Sequence, residues 1–439
     1  MAEIVWAGKY REGQRVRSPR AVHPIETDEV FGAPGQGSAN RLVLGDQAHA
    51  LAALLDEFAG QVGLVYIDPP FDTGGAFDFL ASVPGAPDDA PRIPVHAYDD
   101  ARGLDRWLAW FSDAVSLLGE LLADGGSLYV HLDAHVSHYA KVVLDEVFGK
   151  GAFQREIVWR IGWVSGFKSR ARTWVRNHDT ILFYAKGGRV RTFHKAYVPY
   201  PPGYVRRDGK PPRGAGYPME DVWNASENDR LDSIQIMSFS GEKVGYPTQK
   251  NEALLSRIVR ASSNPGDLVL DCFSGSGTTA VAAERLSRRW IVCDSAPVAI
   301  HATRKRLLAM PEVRPFVVQR VGESTWPLGG VLVVAGWIDG RGARLELRSF
   351  EMMTQASIPL RTRDAVSHWS QWLEGWCVDW DHQGSALHAE STVWRRSRSG
   401  LLPLAATHEY DAPGFRRVLV KAFDVLGGVS TVEVQLDGR

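Results

Sequence analysis

Apolar positions follow two alternating rhythms through the first three quarters of the chain. Short runs such as Arg41–Gly45 (RLVLG), Leu64–Asp68 (LVYID), Ser127–Asp133 (SLYVHLD), His178–Tyr184 (HDTILFY), Asp267–Asp271 (DLVLD) and Trp290–Asp294 (WIVCD) have the length and side chains of buried strands. Between them the spacing turns helical. Leu51, Leu54, Leu55 and Phe58 share a face, as do Trp107, Trp110, Phe111, Leu117, Leu118 and Leu121. Tyr139 to Phe148, Leu254 to Val259, Thr278–Leu286 and Pro297–Leu308 read as further helices. Asp46 stands near the first helix start, and Ser295 is available to cap the helix that has Pro297 near its first turn. Strands alternating with helices predict a mainly parallel sheet covered on both faces.

Three stretches break this rhythm. Residues 1–40 have weak periodicity and many turn formers, and read as an N-terminal arm. Ala76–Asp100 is rich in Pro, Asp and Gly and reads as a loop, and residues 187–245 are irregular, basic and rich in Pro and Gly. Past Pro327 the runs VLVVAGWI, ARLELRSF, RVLVKAF and STVEVQL alternate apolar with polar residues, which predicts an all-β module. The expected organisation is therefore an arm (1–40), an α/β domain (41–326) and a C-terminal β domain (330–439), in keeping with a length of 439 residues.

Composition narrows the class. Hydrophobic residues at 44% and charged residues at 23% suit a globular protein in water, and no apolar run approaches the ~20 residues that span a bilayer. The first residues lack the apolar segment of a secretory signal. Three scattered cysteines without ligand spacing imply a reducing cytoplasm and no metal site. The net charge of −1 conceals a local excess: Arg155–Arg213 holds 14 Lys and Arg against three acids. Trp159, Trp163, Phe167, Trp174, Phe183 and Tyr184 interleave with those charges. Cations and flat rings suit a nucleic-acid surface, although a charge run alone is equally a solvated face.

Two strand ends carry chemistry. In GLVYIDPPFDTGG (Gly63–Gly75) a buried strand closes on Asp68, and Pro69-Pro70 then forbid both ladder bonding and helix. In DLVLDCFSGSGTTAVAAERL (Asp267–Leu286) a strand closes on Asp271, and Phe273-Ser274-Gly275-Ser276-Gly277 turns into a helix. By itself such a turn also fits a βα connection without a ligand. The next strand ends on Asp294, about the spacing at which an acid takes ribose hydroxyls in dinucleotide folds. Neither a Walker lysine nor the longer glycine signature of a pyrophosphate site is present. Acids at both strand ends suit S-adenosylmethionine, which carries a sulfonium, an ammonium and a ribose.

These residues give the chain its family likeness. Asp68-Pro69-Pro70-Phe71, Phe273 through Gly277, Tyr246-Pro247-Thr248-Gln249-Lys250 and Val43-Leu44-Gly45-Asp46 resemble, in that order of roles, the catalytic motif, the cofactor loop and two flanking motifs of β-class amino DNA methyltransferases. The stretch Trp159–Lys186 is similar to the adenine-modifying subunits of type III restriction systems. The likeness covers about residues 1–325, discontinuously. It implies a Rossmann-like methyltransferase sheet, mixed in direction, with residues 187–245 as target-recognition region.

The resemblance also implies roles. Asp68 and the Pro69 carbonyl would accept the hydrogens of an exocyclic amine, drawing its lone pair out of conjugation, with Pro70 fixing the backbone. Phe71 would stack on a base flipped out of the duplex. Asp46, Thr248, Lys250, Asp271, Phe273, Gly275, Gly277 and Asp294 would hold S-adenosylmethionine, with Thr248 and Lys250 near its methionine end. Either Phe183 or Tyr184 would form the second wall of the base pocket. Arg160, Lys168, Arg170, Arg172 and Arg176 would meet DNA phosphates, and His178 is either a buried structural histidine or a DNA contact. The activity expected is N6 methylation of adenine in double-stranded DNA, Asp rather than Ser at position 68 favouring adenine. N4 methylation of cytosine and a non-catalytic scaffold are the alternatives. A restriction- or defence-system subunit and a homodimer are the expected partners, with no membrane. The C-terminal β module resembles an immunoglobulin- or PKD-like sandwich.

Overall fold

The computed structural model describes residues 3–16, 23–33, 39–161, 170, 172–224, 242–353, 358–395 and 400–437. An eleven-stranded sheet organises the chain. Its strands are Ile25–Phe31 (β1), Asn40–Leu44 (β2), Val62–Ile67 (β3), Leu122–Leu132 (β4), Phe153–Arg160 (β5), His178–Ala185 (β6), Val222–Trp223 (β7), Leu268–Asp271 (β8), Arg289–Asp294 (β9), Phe316–Val321 (β10) and Leu387–Ala389 (β11). They lie in the order β7-β5-β6-β4-β3-β8-β9-β2-β10-β1-β11. The central run from β4 to β10 is parallel throughout, while β6 runs against β4 and β1 against β10. The mainly parallel sheet expected from the alternating pattern is thus present, with the mixed direction that the family likeness implies.

The alternation within each strand explains the layering. Val65 and Ile67 point to one face of β3, where they pack with residues of Gln47–Phe58 (α1), Leu104–Leu121 (α2) and Ser137–Phe148 (α3). Leu64 and Tyr66 point to the other, toward Glu252–Ser262 (α4), Thr278–Arg285 (α5) and Pro297–Leu308 (α6). A strand buried on both faces must be apolar at every position, which is why β3 and β8 stand out so clearly in the sequence.

Several elements differ from the sequence expectation. The Pro- and Asp-rich segment 76–100 is a β-hairpin, Gly75–Ala81 paired with Ile93–Asp100, because Phe79, Ala81, Ile93 and Ala97 alternate into a third core cluster. Residues 25–31 are no loose arm: β1 pairs with β10. Ala296, not Ser295, occupies the N-cap of α6, and its N–H donates to Asp294 Oδ1 at 2.9 Å.

The C-terminal strands form a three-stranded sheet (Val331–Asp339, Gly342–Glu351, Ala405–Glu409) and a four-stranded sheet (Ser391–Trp394, Leu373–Asp379, Arg416–Asp424, Val429–Leu436). Among the described residues this part has one short α-helix, Leu360–Asp364, and one 3-10 turn, Trp369–Trp372, and it is tied to the α/β sheet through β11, which pairs with β1. A buried ion cluster reinforces the seam: Glu29 of β1 meets Arg304 of α6 at 2.9 Å and Lys421 of the C-terminal sheet at 3.0 Å.

Candidate active site

Parallel strands bring their carboxyl ends to one edge of the sheet, and the order β3-β8-β9-β2 sets Asp68, Asp271, Asp294 and Asp46 along it. These four acids line one cavity of about 420 Å³, together with Pro70, Tyr98, Tyr246, Thr248, Lys250, Phe273 and Gly275. The cavity has the size of a small-molecule site. The topology therefore gathers the scattered motifs into one place.

The segment after β3 is held rigidly. Trp107 Nε1 donates to the Pro70 carbonyl at 2.7 Å. Asp72 takes a left-handed φ of +58° and accepts the N–H groups of Arg102 and Gly103, each at 2.8 Å. Asp100, at the end of the hairpin, accepts Asp72 N–H at 2.6 Å and both Thr73 N–H and hydroxyl, at 3.1 and 2.6 Å. Asp68 Oδ2 is bonded to the Lys250 ammonium, while Asp68 Oδ1 is buried without a hydrogen-bond partner among the described residues. Pro69 is buried and Phe71 half-buried, neither on the cavity wall itself.

Behind Phe71 stands a polar network invisible in the motif pattern. The Phe71 ring lies 6.3 Å from His131, with the planes 27° apart. His131 is fully buried, with Nδ1 3.0 Å from Tyr66 Oη and Nε2 3.3 Å from Asp179 Oδ2. Arg176 completes it, bonding Asp179 and, at 2.9 Å, Asp133. Burial opposes ionisation of Asp179, but the His131 bond and the charges of His131, Lys250 and Arg176 outweigh it and hold the carboxyl well below the usual range.

The glycine loop answers the second strand end. Asp271 accepts Phe273 N–H at 2.9 Å and the Thr279 hydroxyl at 2.5 Å. Asp294 Oδ2 accepts Gly275 N–H at 2.8 Å. Burial pushes Asp271 up to about 7, against the bonds from Thr279 and Phe273 and aided by the charges of Asp68 and Asp294. Burial also lifts Asp294 to about 6, against backbone bonds from Ala296, Gly275 and Ser295. Acids raised in this way are relieved by a cation. At Gly275, with φ +50°, a Cβ would come within 3.0 Å of the Tyr246 ring, so only glycine keeps this cradle open. Gly277 lies outside the cavity wall and serves packing, since a Cβ there would strike Thr303 at 2.4 Å. Ser274 Oγ is a further buried polar atom without a partner among the described residues.

The remaining expected residues divide. Asp46 lines the cavity while its Oδ1 caps α1 through Ala48 N–H at 2.8 Å. Thr248 holds φ +54°, rare for a β-branched residue, with its hydroxyl 3.1 Å from Tyr98 Oη. Arg160, Arg170 and Arg172 are exposed, whereas Arg176 is committed to Asp133 and Asp179. Lys168, Trp163 and Phe167 fall outside the described residues. Trp159, Phe183 and Tyr184 are core residues, the last two because β6 is buried on both faces beyond its first residue, and neither Phe183 nor Tyr184 lines the cavity. His178 is exposed at the start of β6, so it is not a buried structural histidine.

The DNA methylase family (N6/N4 Mtase) matches residues 62–305, and the chain belongs to it. The type II methyltransferase M.EcaI of Enterobacter cloacae is 28% identical over 336 residues, 61% of this chain and 69% of that protein. The DNA adenine methyltransferase YhdJ of Escherichia coli is 27% identical over 271 residues, 58% of this chain and 77% of that one. The Mod subunit of the type III restriction-modification enzyme StyLTI of Salmonella typhimurium is 23% identical over 350 residues, 60% of this chain and 53% of the subunit. Among the described residues no helix is long and apolar enough to cross a membrane.

Proposed function

We propose that this DNA methyltransferase transfers a methyl group to the exocyclic N6 of an adenine flipped out of double-stranded DNA. The observation that carries the reading is Asp68: its carboxylate lines the same cavity as Asp271, Asp294 and the glycine loop, and its Oδ1 has no partner among the described residues. The cofactor is S-adenosylmethionine, which supplies the methyl group as an electrophilic sulfonium. The residues fit it: Asp271 and Asp294 offer charge to its cationic and ribose groups, Lys250 answers its carboxylate, and Gly275 leaves room for close approach.

On the substrate side the chain supplies acceptors and a stacking face. Asp68 accepts one hydrogen of the amine and, as the family likeness implies, the Pro69 carbonyl the other, while the bond from Trp107 Nε1 to the Pro70 carbonyl holds the turn in place. Holding both hydrogens in these bonds localises the nitrogen lone pair and orients it, and Asp68 is the base placed to take the one proton that the methylated amine must lose and pass it to water. Phe71, backed by His131, provides the face for the base. Arg160, Arg170 and Arg172 reach flanking phosphates, and residues 187–245 read the target.

Adenine is favoured by Asp at position 68 and by the name of the YhdJ relative. The type III relative, a restriction-modification subunit, supports a place in such a system, and we extend this to a cytoplasmic role in phage defence with a partner subunit or a second copy of the chain. The C-terminal β region, with its immunoglobulin- or PKD-like pattern, serves protein contact or supports DNA binding. Sequencing DNA from cells with and without this gene by a modification-sensitive method tests the reading. N6-methyladenine at a fixed motif is expected; N4-methylcytosine there favours the cytosine alternative, and no change favours a scaffold.

A further inference from the structure

The carboxylate proposed to take the target amine is already engaged by a side chain of the protein itself. The Lys250 ammonium is bonded to Asp68 Oδ2, lies 3.3 Å from the Thr248 carbonyl, and stands 5.7 Å from the centre of the Phe71 ring. An N–H donor held on Asp68 beside Phe71 is what the target amine has to become. Lys250 therefore occupies the place proposed for that amine. Both partners are largely withdrawn from water, with side-chain exposures of 9% for Lys250 and 15% for Asp68, so neither group leaves the other without a substitute.

Only the side chain of Lys250 is free to move. Its carbonyl accepts the Thr278 hydroxyl at 3.0 Å, and the next residue, Asn251, caps α4 by accepting Leu254 N–H at 2.8 Å. The four-carbon stem then carries a compact, rotatable charge from a fixed base. The cavity also limits what can receive that charge. Among its described lining residues Asp46, Asp68, Asp99, Asp271 and Asp294 stand against two cations, Arg102 and Lys250. The Arg102 guanidinium is spread over the Trp110 ring at 4.5 Å. A zwitterionic ligand with a carboxylate at one end has Lys250 as its buried counter-charge.

We propose that Lys250 is a positioning residue with two anionic partners: it holds Asp68 while the cofactor site is empty and hands it to the target amine when a cofactor carboxylate takes its ammonium. The inference rests on the reading of the cavity as an S-adenosylmethionine site. It makes cofactor binding a precondition for accepting the base, and the coupling is reciprocal.

Calorimetry on the full chain tests this without DNA. Lys250→Met should weaken S-adenosylmethionine binding tenfold or more. Asp68→Asn, which frees the ammonium, should tighten it at least threefold. In the double variant Asp68→Asn should no longer tighten binding. With decarboxylated S-adenosylmethionine, which has nothing for Lys250 to grasp, Asp68→Asn should give no tightening even when Lys250 is present. That comparison needs only Asp68→Asn and holds if Lys250→Met does not fold. Equal effects of Asp68→Asn with and without Lys250, or equal effects on the two ligands, overturn the handover while leaving the cofactor site standing. A wild-type chain that binds neither ligand overturns the cofactor reading itself, and the handover with it.

Discussion

Asp294 accepts the Gly275 N–H at 2.8 Å, so the acid that ends one strand holds the loop that leaves its neighbour. Removing the side chain costs the shape of the loop and, on the proposed reading, a ribose acceptor. Asp294→Ala should weaken S-adenosylmethionine binding by roughly 1.5–3 kcal/mol, the range of a hydrogen bond to a charged group. Asp294→Asn, which can still accept the Gly275 N–H, should lose less. Equal losses in calorimetry would place the whole effect on charge and none on the loop.

Asp271 and Asp294 give the site a pH dependence with a definite sign. Both are raised by burial, to about 7 and about 6, whereas carboxylates of the unfolded chain titrate near 4. Between those values the folded chain holds the extra protons, so their contribution to stability falls as pH rises from about 4 to 7. A cationic ligand reverses the preference by favouring the ionised acids. S-adenosylmethionine affinity should therefore increase several-fold from pH 5.5 to 7.5, while the melting temperature of the ligand-free chain gains nothing from these two groups. A flat affinity profile would contradict the assignment of both acids to the ligand.

The exposed arginines separate into two kinds. Arg170 and Arg172 are exposed. Replacing both by Ala should lower the log–log salt slope of duplex binding by about 1.8, at ~0.9 per phosphate contact, with no change in melting temperature. Arg176→Ala should instead lower the melting temperature, because Asp133 and Asp179 lose their shared partner. Parallel salt lines for wild type and the Arg170/Arg172 double variant would remove these residues from the DNA face.

How much of this was legible depended on whether the pattern was local. β3, β8 and β9 are apolar at nearly every position because both faces are covered, and the acids and glycines at their ends stand out against that background. The hairpin at 75–100 was hidden because prolines and acids of its connection obscure a two-residue alternation that buries only one face. Asp100, His131 and the role of Arg176 were hidden for a different reason. Each acts on residues distant in sequence: Asp100 on Asp72, His131 on Tyr66 and Asp179, Arg176 on Asp133. The place of β11 beside β1, which joins residues more than 350 positions apart, has no local signature at all.

That seam carries its own test. Glu29 is the common partner of Arg304 and Lys421, and all three are buried. Glu29→Ala leaves two buried cations without their acid and should cost about 3–5 kcal/mol, measured by urea unfolding. A loss within 1 kcal/mol, on the scale of an exposed pair, would mean that water reaches the seam.

The central claim is that Asp68 takes the target amine of a DNA base. It is tested most directly by methyl transfer from labelled S-adenosylmethionine to duplex DNA, followed by digestion to nucleosides, with wild type and Asp68→Ala side by side. The account predicts label in N6-methyldeoxyadenosine for the wild type, and loss of transfer in the variant with cofactor binding retained. Transfer by Asp68→Ala within about tenfold of wild type, ~1.4 kcal/mol of barrier, would contradict it.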